Sequence, residues 1–396
     1  MRVVSKKPLF IRLAQPTYGA FLLKRNHITG VDLHYLSQLK PPYLVVGNHA
    51  HTLDSFFVSA ALPVHVRWVA GAYLFKLFGL RPLLERWVGA ISKQQGRSDL
   101  FTIRAISDAL KQGDIVALFP EGTRTWDGEP VGFDEAIAKL IRMFKVPVVV
   151  LNLEGFYGLK PRWSEKRRKG NAYLRCLPPL YPDQISQMTI SQLYARLQQD
   201  IGFSYRKWQE QNHIPYQSTH AAEGLEQVLY LCPDCHGVST MKTQGTKITC
   251  SSCNFTMELD QYDRLHLLHG KHPLEDVANW HAWEQSYMTG PEGTTLTFPP
   301  DEGVLFQTGD YTKLIVLAKR FRLSMEKGGM QVTLPDNTFQ YFPFDAIQSM
   351  IINAKNTVEL YHNNTLYRIR IQKRGSILKY VEMYQAKRKT LQGGTL

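Results

Sequence analysis

No run of about 18 uninterrupted apolar residues, the length that a membrane-crossing helix needs, occurs in this 396-residue chain. Residues 55–80 come nearest, and they carry Pro63, His65, Arg67 and Lys76, so a transmembrane span is not expected. The opening stretch MRVVSKKPLFIRLAQPTYGAFLLKRN lacks a sufficient apolar core and a small-residue cleavage site, so it does not read as a secretory signal. Cysteine is scarce: there are five, and four of them form two tight pairs. That pattern speaks for metal in a reducing compartment rather than for disulfides. Acidic residues are outnumbered, 34 against 47 basic ones, giving a net charge of +13 and a pI near 9.4. Such a surplus favours an anionic partner: nucleic acid, a phosphorylated small molecule or an anionic membrane surface.

What is present is enough apolar material for a globular protein, 44% hydrophobic residues, in a chain long enough for two or three domains. Residues 41–218 alternate Val/Ile/Leu-rich strand-like segments (PYLVVGN, DIVALFP, VPVVVLNLE) with amphipathic helical ones (LFTIRAISDALKQG, DEAIAKLIRMF). This alternation predicts an α/β domain with a buried sheet, over residues 1–218. PYQSTHAAEG at 215–224 reads as a linker. Residues 225–262 form a compact unit around two Cys pairs, 263–295 read as a helical connector, and 296–396 hold seven or so short strands and a closing helix. The last pattern predicts a small closed sheet capped by that helix.

Two stretches carry chemistry. GNHAHTLDS places an aspartate, Asp54, five residues beyond His49. On one continuous helix these two side chains would point apart. They meet if the chain leaves the strand YLVV, turns at Gly47-Asn48 and starts a helix near Asp54; Asp54 then orients one imidazole nitrogen and frees the other as a general base. The alternative is that Thr52 or Asp54 merely caps the helix and His49 is a loop residue. FPEGTRTWDG, from Phe119 to Gly128, runs a buried-type strand into a loop. There Gly122 allows close backbone approach, Thr123 offers a hydroxyl and Arg124 a planar fork suited to phosphate. Its plain alternative is a turn with a salt-bridged arginine.

NHAHTLD and FPEGTRT, in this order and about seventy residues apart, resemble the glycerolipid acyltransferase family typified by 1-acylglycerol-3-phosphate acyltransferases. GAISKQQGRSD at 89–99 and VPVVVLNLEGFYG at 146–158 sit where that family has two further blocks, so the resemblance covers roughly residues 30–182. It implies an O-acyltransferase in which His49, oriented by Asp54, takes the proton of a glycerol hydroxyl that attacks a thioester, acyl-CoA or acyl-carrier protein. It also implies acceptor contacts from Asn48, Lys93, Arg97, Glu121, Gly122, Thr123 and Arg124, with a lysophospholipid as acceptor. The sequence departs from the pattern at Gln95, where the family usually shows arginine, and at Asp134-Glu135; both bear on which acceptor is used. An anionic membrane surface, reached from the cytoplasm on the inner face of the cell membrane, is the expected setting, and nucleic acid is not the expected partner; the alternatives are a catalytically inactive lipid-binding scaffold and a zinc-ribbon nucleic-acid-binding protein. The basic cluster LKPRWSEKRRKG at 159–170 reads either as a phospholipid headgroup site or as a solvated loop.

Cys232, Cys235, Cys250 and Cys253 have zinc-ribbon spacing, in which four thiolates close a structural tetrahedral site. Cys176 reads as a core thiol. His266, His269, His272 and His281 read as a helix face rather than a metal set. The last domain resembles the pleckstrin-homology and bacterial PH-like families through its strand run, FPFDAIQSM and the terminal helix.

Overall fold

The computed structural model describes residues 8–76, 80–93, 100–291, 293, 296–310, 313–326 and 328–391. Two compact units are present: residues up to Arg162 with Arg167–Gln217, and Trp163–Lys166 with the residues from Ser218 onward. No described helix is long and apolar enough to cross a membrane.

The first unit is built on seven strands: β1 (Ile28–Val31), β2 (Leu44–Gly47), β3 (Val66–Gly71), β4 (Ile91–Lys93), β5 (Ile115–Leu118), β6 (Val148–Glu154) and β7 (Ala172–Cys176). Their order in the sheet is β1-β7-β6-β2-β5-β3-β4. All neighbouring pairs are parallel except β6 with β7. Parallel strands need crossover connections, and these place helices on both faces. The period of two along each strand then deals side chains to two cores. Val45, Ala117, Val149 and Leu151 meet Phe57 and Val58 of the helix Asp54–Ala61 on one face. Leu44, Val46, Val116, Val148 and Val150 meet Ile106, Ala109 and Leu110 of Leu100–Lys111, Ile141 of Ala136–Phe144, and Leu193 and Leu197 of Ile190–Ile201 on the other. Thr189 caps the last of these helices in a reciprocal box with Gln192, which satisfies amide groups that the first turn leaves open.

Because β2, β3, β4, β5 and β6 all run one way, the residues after their carboxyl ends collect along one edge of the sheet, where open α/β sheets bind ligands. Gly47 closes β2 at that edge. A Cβ there would collide with the carbonyl oxygen of Leu151 on β6, so only glycine lets the two strands lie in register.

In the second unit the Cys-bearing segment forms a four-stranded antiparallel sheet of β8 (Met241–Gln244), β9 (Lys247–Cys250), β10 (Thr256–Leu259) and β11 (Leu265–His269), in the order β11-β10-β9-β8. The expectation of helix throughout 263–295 needs correction. Leu265–His269 pairs with β10, and Gly270 and Pro273 interrupt the chain before the helix Val277–Thr289 begins at its Asp276 cap. The helical periodicity seen in HLLH came from a strand whose Leu265 packs inward and whose next residue is exposed.

Eight further antiparallel strands follow: β12 (Asp301–Gly309), β13 (Leu314–Ala318), β14 (Phe321–Glu326), β15 (Gly329–Thr333), β16 (Phe339–Pro343), β17 (Ile347–Ala354), β18 (Thr357–His362) and β19 (Thr365–Ile371). They run β16-β15-β14-β12-β19-β18-β17, with β13 added on β12. The closed sheet expected here is continuous from β16 to β17, and among the described residues no ladder joins these two ends. Tyr380, Val381 and Tyr384 of the helix Leu378–Leu391 enter the core formed by Leu323, Met330, Phe342, Leu360 and Ile369. The Tyr380 hydroxyl donates to the Leu323 carbonyl at 2.7 Å.

Candidate active site

The site begins where β2 ends. The side-chain oxygen of Asn48 accepts the backbone N–H of Leu153 on β6 at 2.8 Å, so this residue ties the turn to the neighbouring strand. The chain then folds back until Asp54 opens its helix. One carboxylate oxygen of Asp54, Oδ2, accepts three N–H groups, each at 2.8 Å: the Nδ1 of His49 and the backbone amides of Ala50 and His51. Asp54 thus caps the turn and orients the imidazole with the same atom. Of the two readings open in the sequence, the helix cap is not formed, since Leu53 is the N-cap residue and no side chain caps the helix; Asp54 braces the turn that precedes it.

With Nδ1–H directed at Asp54, the lone pair of His49 lies on Nε2. Burial holds the imidazole below its ordinary pKa, against the hydrogen bond and charge of Asp54, and the positive charges of Arg124 and Arg162 add to the lowering. A neutral imidazole is what a general base requires at neutral pH. The His49 side chain keeps 22% of its surface exposed, so it remains reachable. Its ring stacks on Phe119 at 4.2 Å between centroids and 4° between planes, and Phe119 stacks on Trp68.

The second stretch is laced to the first. The backbone N–H of His49 donates to Glu121 Oε2 at 2.7 Å, and that of Val131 to Glu121 Oε1 at 3.1 Å. Burial pushes Glu121 up to about 7 against these two donors. The N–H of Thr125 donates to the carbonyl of His49 at 3.0 Å. Gly122 has φ +66° with open space where a Cβ would stand, so glycine is needed for the backbone conformation rather than for room. Arg124 Nη1 donates to Thr52 Oγ1 at 2.7 Å. Arg162 Nη1 donates to Thr123 Oγ1 at 2.7 Å and to the Arg124 carbonyl at 3.1 Å.

The structure therefore brings Asn48, His49, Asp54 and Glu121 to Arg124 together. Lys93 ends β4 on the same edge of the sheet. Arg97, and Gln95 with it, lie outside the described residues. Two participants escaped sequence reasoning. His51 is buried and accepts the Leu53 N–H on Nδ1 at 2.9 Å, and burial takes its pKa down to about 4; it is a neutral prop of the turn. Arg162 was read within the basic cluster at 159–170. That cluster is not one solvated surface, since Arg162 and Arg168 are both buried, the latter donating to the Gly158 carbonyl at 2.7 Å. Charge density in the sequence does not reveal which basic residue turns inward.

The Cys232 and Cys253 sulfurs lie 3.6 Å apart, and those of Cys235 and Cys250 3.7 Å; all four fall within 4.8 Å of one another. Disulfide bonding needs about 2 Å, whereas four thiolates around zinc stand about 3.8 Å apart, so the donor set fits that ion. The histidines are dispersed: His266 bonds Asp260 and His272 bonds Asp234, each at 2.8 Å. His281 joins a buried network with Glu284, Glu382 and Tyr230.

The acyltransferase family model matches residues 19–154. Over 179 residues, 44% of this chain and 74% of that protein, the chain is 26% identical to the 1-acyl-sn-glycerol-3-phosphate acyltransferase of Helicobacter pylori. It is 24% identical to the alpha form of that enzyme from Ovis aries over 42% of this chain and 58% of that protein. The chain thus spans under two thirds of the mammalian relative's length. The crystal structure of the 1-acyl-sn-glycerophosphate acyltransferase of Thermotoga maritima aligns with a TM-score of 0.43 at 19% identity, over 51% of this chain and 79% of that one. Residues 19–154, which hold both ends of the His49–Asp54 pair and the Glu121–Arg124 loop, are thus the part of the chain that is similar to acyltransferases.

Proposed function

We propose that the chain moves a fatty acyl group from a thioester donor, acyl-CoA or acyl-carrier protein, to a hydroxyl of a glycerol(phospho)lipid such as 1-acylglycerol-3-phosphate. The observation that carries this reading is the 2.8 Å contact from His49 Nδ1 to Asp54 Oδ2, which leaves Nε2 free at the edge of the sheet. In the proposed reaction Nε2 takes the proton of the acceptor hydroxyl as its oxygen attacks the thioester carbonyl. The tetrahedral intermediate collapses by breaking the C–S bond, and the thiolate recovers the proton from the imidazolium. Both the ester and the free thiol are accounted for, and no acyl-enzyme is needed.

Arg124 is the proposed contact for the acceptor's phosphate, with Gly122 and Thr123 shaping the loop and Lys93 and Arg97 reaching the same acceptor. Zinc on the four cysteines is proposed as structural, because a closed thiolate set leaves no open position for substrate. Peripheral attachment to an anionic membrane is supported by Leu9, Leu13, Tyr18 and Phe21, exposed on the N-terminal helical segments beside Arg12, Lys24 and Arg25. A PH-like role for the last strands is the remaining part of the reading, supported by one antiparallel sheet closed over by a terminal helix.

The test is incubation of the purified chain with labelled acyl-CoA and, separately, acyl-carrier protein against a panel of lysolipids and monoacylglycerols, with products identified by mass. Ester formation that follows a glycerol-backbone acceptor is the expected result. Thioester hydrolysis alone, or no turnover with any acceptor, would overturn it.

A further inference from the structure

His281 lies on a helix face, as its spacing predicts, but that face is turned inward. Glu284 stands three residues along the same helix and so on the same side of it, and both are buried. Glu382, from the helix Leu378–Leu391, meets them: its Oε1 lies 2.7 Å from His281 Nε2. One ligand atom from each of the three falls within 4.8 Å of the other two. Neutral donors hold the set in position. The Tyr230 hydroxyl donates to Glu382 Oε2 at 2.6 Å, and Gln285 Nε2 donates to Glu382 Oε1 at 2.6 Å. The Leu231 N–H donates to Glu284 Oε2 at 2.6 Å, while the Leu231 carbonyl accepts the Trp280 indole N–H at 3.1 Å.

These bonds leave one oxygen over. Glu284 Oε1 is buried and has no hydrogen-bond partner among the described residues, a state that in a folded protein points to a water or an ion. The charge count narrows the choice. Glu284 is fully buried and the Glu382 side chain keeps 10% of its surface, so two carboxylates share one desolvated place. An imidazolium at His281 offsets only one of them, and an uncompensated buried charge is costly. Lys379, one turn before Glu382, is committed to Asp301 at 2.6 Å and to Ser239 Oγ at 2.8 Å. A water gives Oε1 a partner but cancels no charge. A divalent cation does both, with two carboxylates against its two charges and a neutral imidazole as the third ligand.

We propose that His281, Glu284 and Glu382 form a second metal site, for an oxygen-preferring divalent cation of the Mn2+ class, which ties the helix Val277–Thr289 to the helix Leu378–Leu391. An ion about 2.1 Å from each ligand spaces the ligand atoms about 3–4 Å apart, which small side-chain shifts achieve from the present positions. The two donor sets sort metals by hardness: thiolates retain zinc, and a pair of carboxylates with one imidazole suits Mn2+. Tyr230 and Gln285, bonded to Glu382, orient that ligand from behind. Leu231, which holds Glu284, directly precedes Cys232, so the two sites share one segment of chain. Burial of the set makes its role structural. This site is independent of the acyl-transfer reading above, since no residue of the His49–Asp54 region takes part.

The experiment adds Mn2+ to the whole, zinc-loaded chain and follows the free ion by electron paramagnetic resonance. One Mn2+ per chain should be taken up. Glu284→Gln and His281→Gln should each weaken uptake by about tenfold or more, whereas His266→Gln, which alters an exposed histidine bonded to Asp260, should leave it unchanged. Bound Mn2+ in the wild type and in His266→Gln should also show the nitrogen coupling of a directly bound imidazole, which keeps the test decisive if the ligand variants do not fold. The proposal is overturned if the wild type takes up no Mn2+, in which case the carboxylates are neutralised by a proton instead. Bound Mn2+ without imidazole coupling, or uptake that survives both ligand variants, rejects it equally.

Discussion

The backbone N–H of His49 donates to Glu121 Oε2 at 2.7 Å across 72 residues of chain, and the other oxygen of the same carboxylate holds Val131. Glu121 is therefore a bracket that sets where the imidazole stands. Glu121→Gln should fail almost as badly as Glu121→Ala, because an amide presents one acceptor where two are needed and turns a donor toward an N–H. Each unsatisfied buried amide costs about 1–3 kcal/mol, so a fall in melting temperature of several degrees should accompany a loss in kcat. A Gln variant with wild-type melting and kcat would remove Glu121 from the positioning role.

His49→Ala should reduce turnover by about a hundred- to ten-thousand-fold, the range for loss of a general base, with folding intact by circular dichroism. Asp54→Asn should lose similar activity and also stability, since Asp54 Oδ2 caps the turn for Ala50 and His51. Near-normal acyl transfer by His49→Ala would reject the dyad.

Burial holds both His49 and His51 below the ordinary imidazole range, His51 at about 4. Depressed folded-state values mean that the unfolded chain takes up protons first as pH falls. Their contribution to stability is thus whole above about pH 6.5 and declines as pH drops from there toward 4. On the same ground, the fall of kcat/KM that comes from protonating His49 should begin below about 6.5. A pH–rate profile from pH 7.5 to 5 checks the assignment, because Glu121, raised to about 7, gains stability on acidification over the same range and opposes the histidines in a melt; a kcat/KM that rises as pH falls from 6.5 contradicts it.

Arg124→Ala should raise the apparent constant for a phosphorylated acceptor while leaving that for an uncharged one little changed. Initial rates over an acceptor series measure this directly, and an unaltered dependence on the lysophospholipid would give Arg124 a purely structural role through Thr52.

Purified protein should carry one zinc per chain on Cys232, Cys235, Cys250 and Cys253. Chelation or Cys235→Ser should make residues 225–269 protease-sensitive, because a closed thiolate site contributes folding energy, while acyl transfer by the first unit persists at least in part. Elemental analysis without zinc would discard the ribbon; complete loss of transfer with the first unit still folded would mean that the ribbon is needed for catalysis.

The buried sheet was legible because its strands, such as VVVL, are apolar on both faces and sit at intervals between amphipathic helices. The His49–Asp54 geometry was legible as an alternative because a five-residue spacing excludes one helix. Leu265–His269 was misread because five residues with histidines three apart fit a helix face as well as a strand edge, and only pairing with β10 decides. Arg162 was hidden for another reason: its inward turn depends on Trp126 and Thr123, some 36 and 39 residues away in sequence, and local composition carries no trace of such partners.

The dyad is local in sequence, but what holds it is not: Asn48 reaches Leu153 across 105 residues, and His49 reaches Glu121 across 72. Contacts of such separation form late, after loop closure has been overcome. Chains still being synthesised can therefore have the helix that Asp54 begins, and even the His49–Asp54 bond, without a stationed base. Regain of acyl transfer during refolding should lag the recovery of helical signal and coincide with docking of β5 and β6 against β2, so catalysis itself becomes a clock for completion of the sheet.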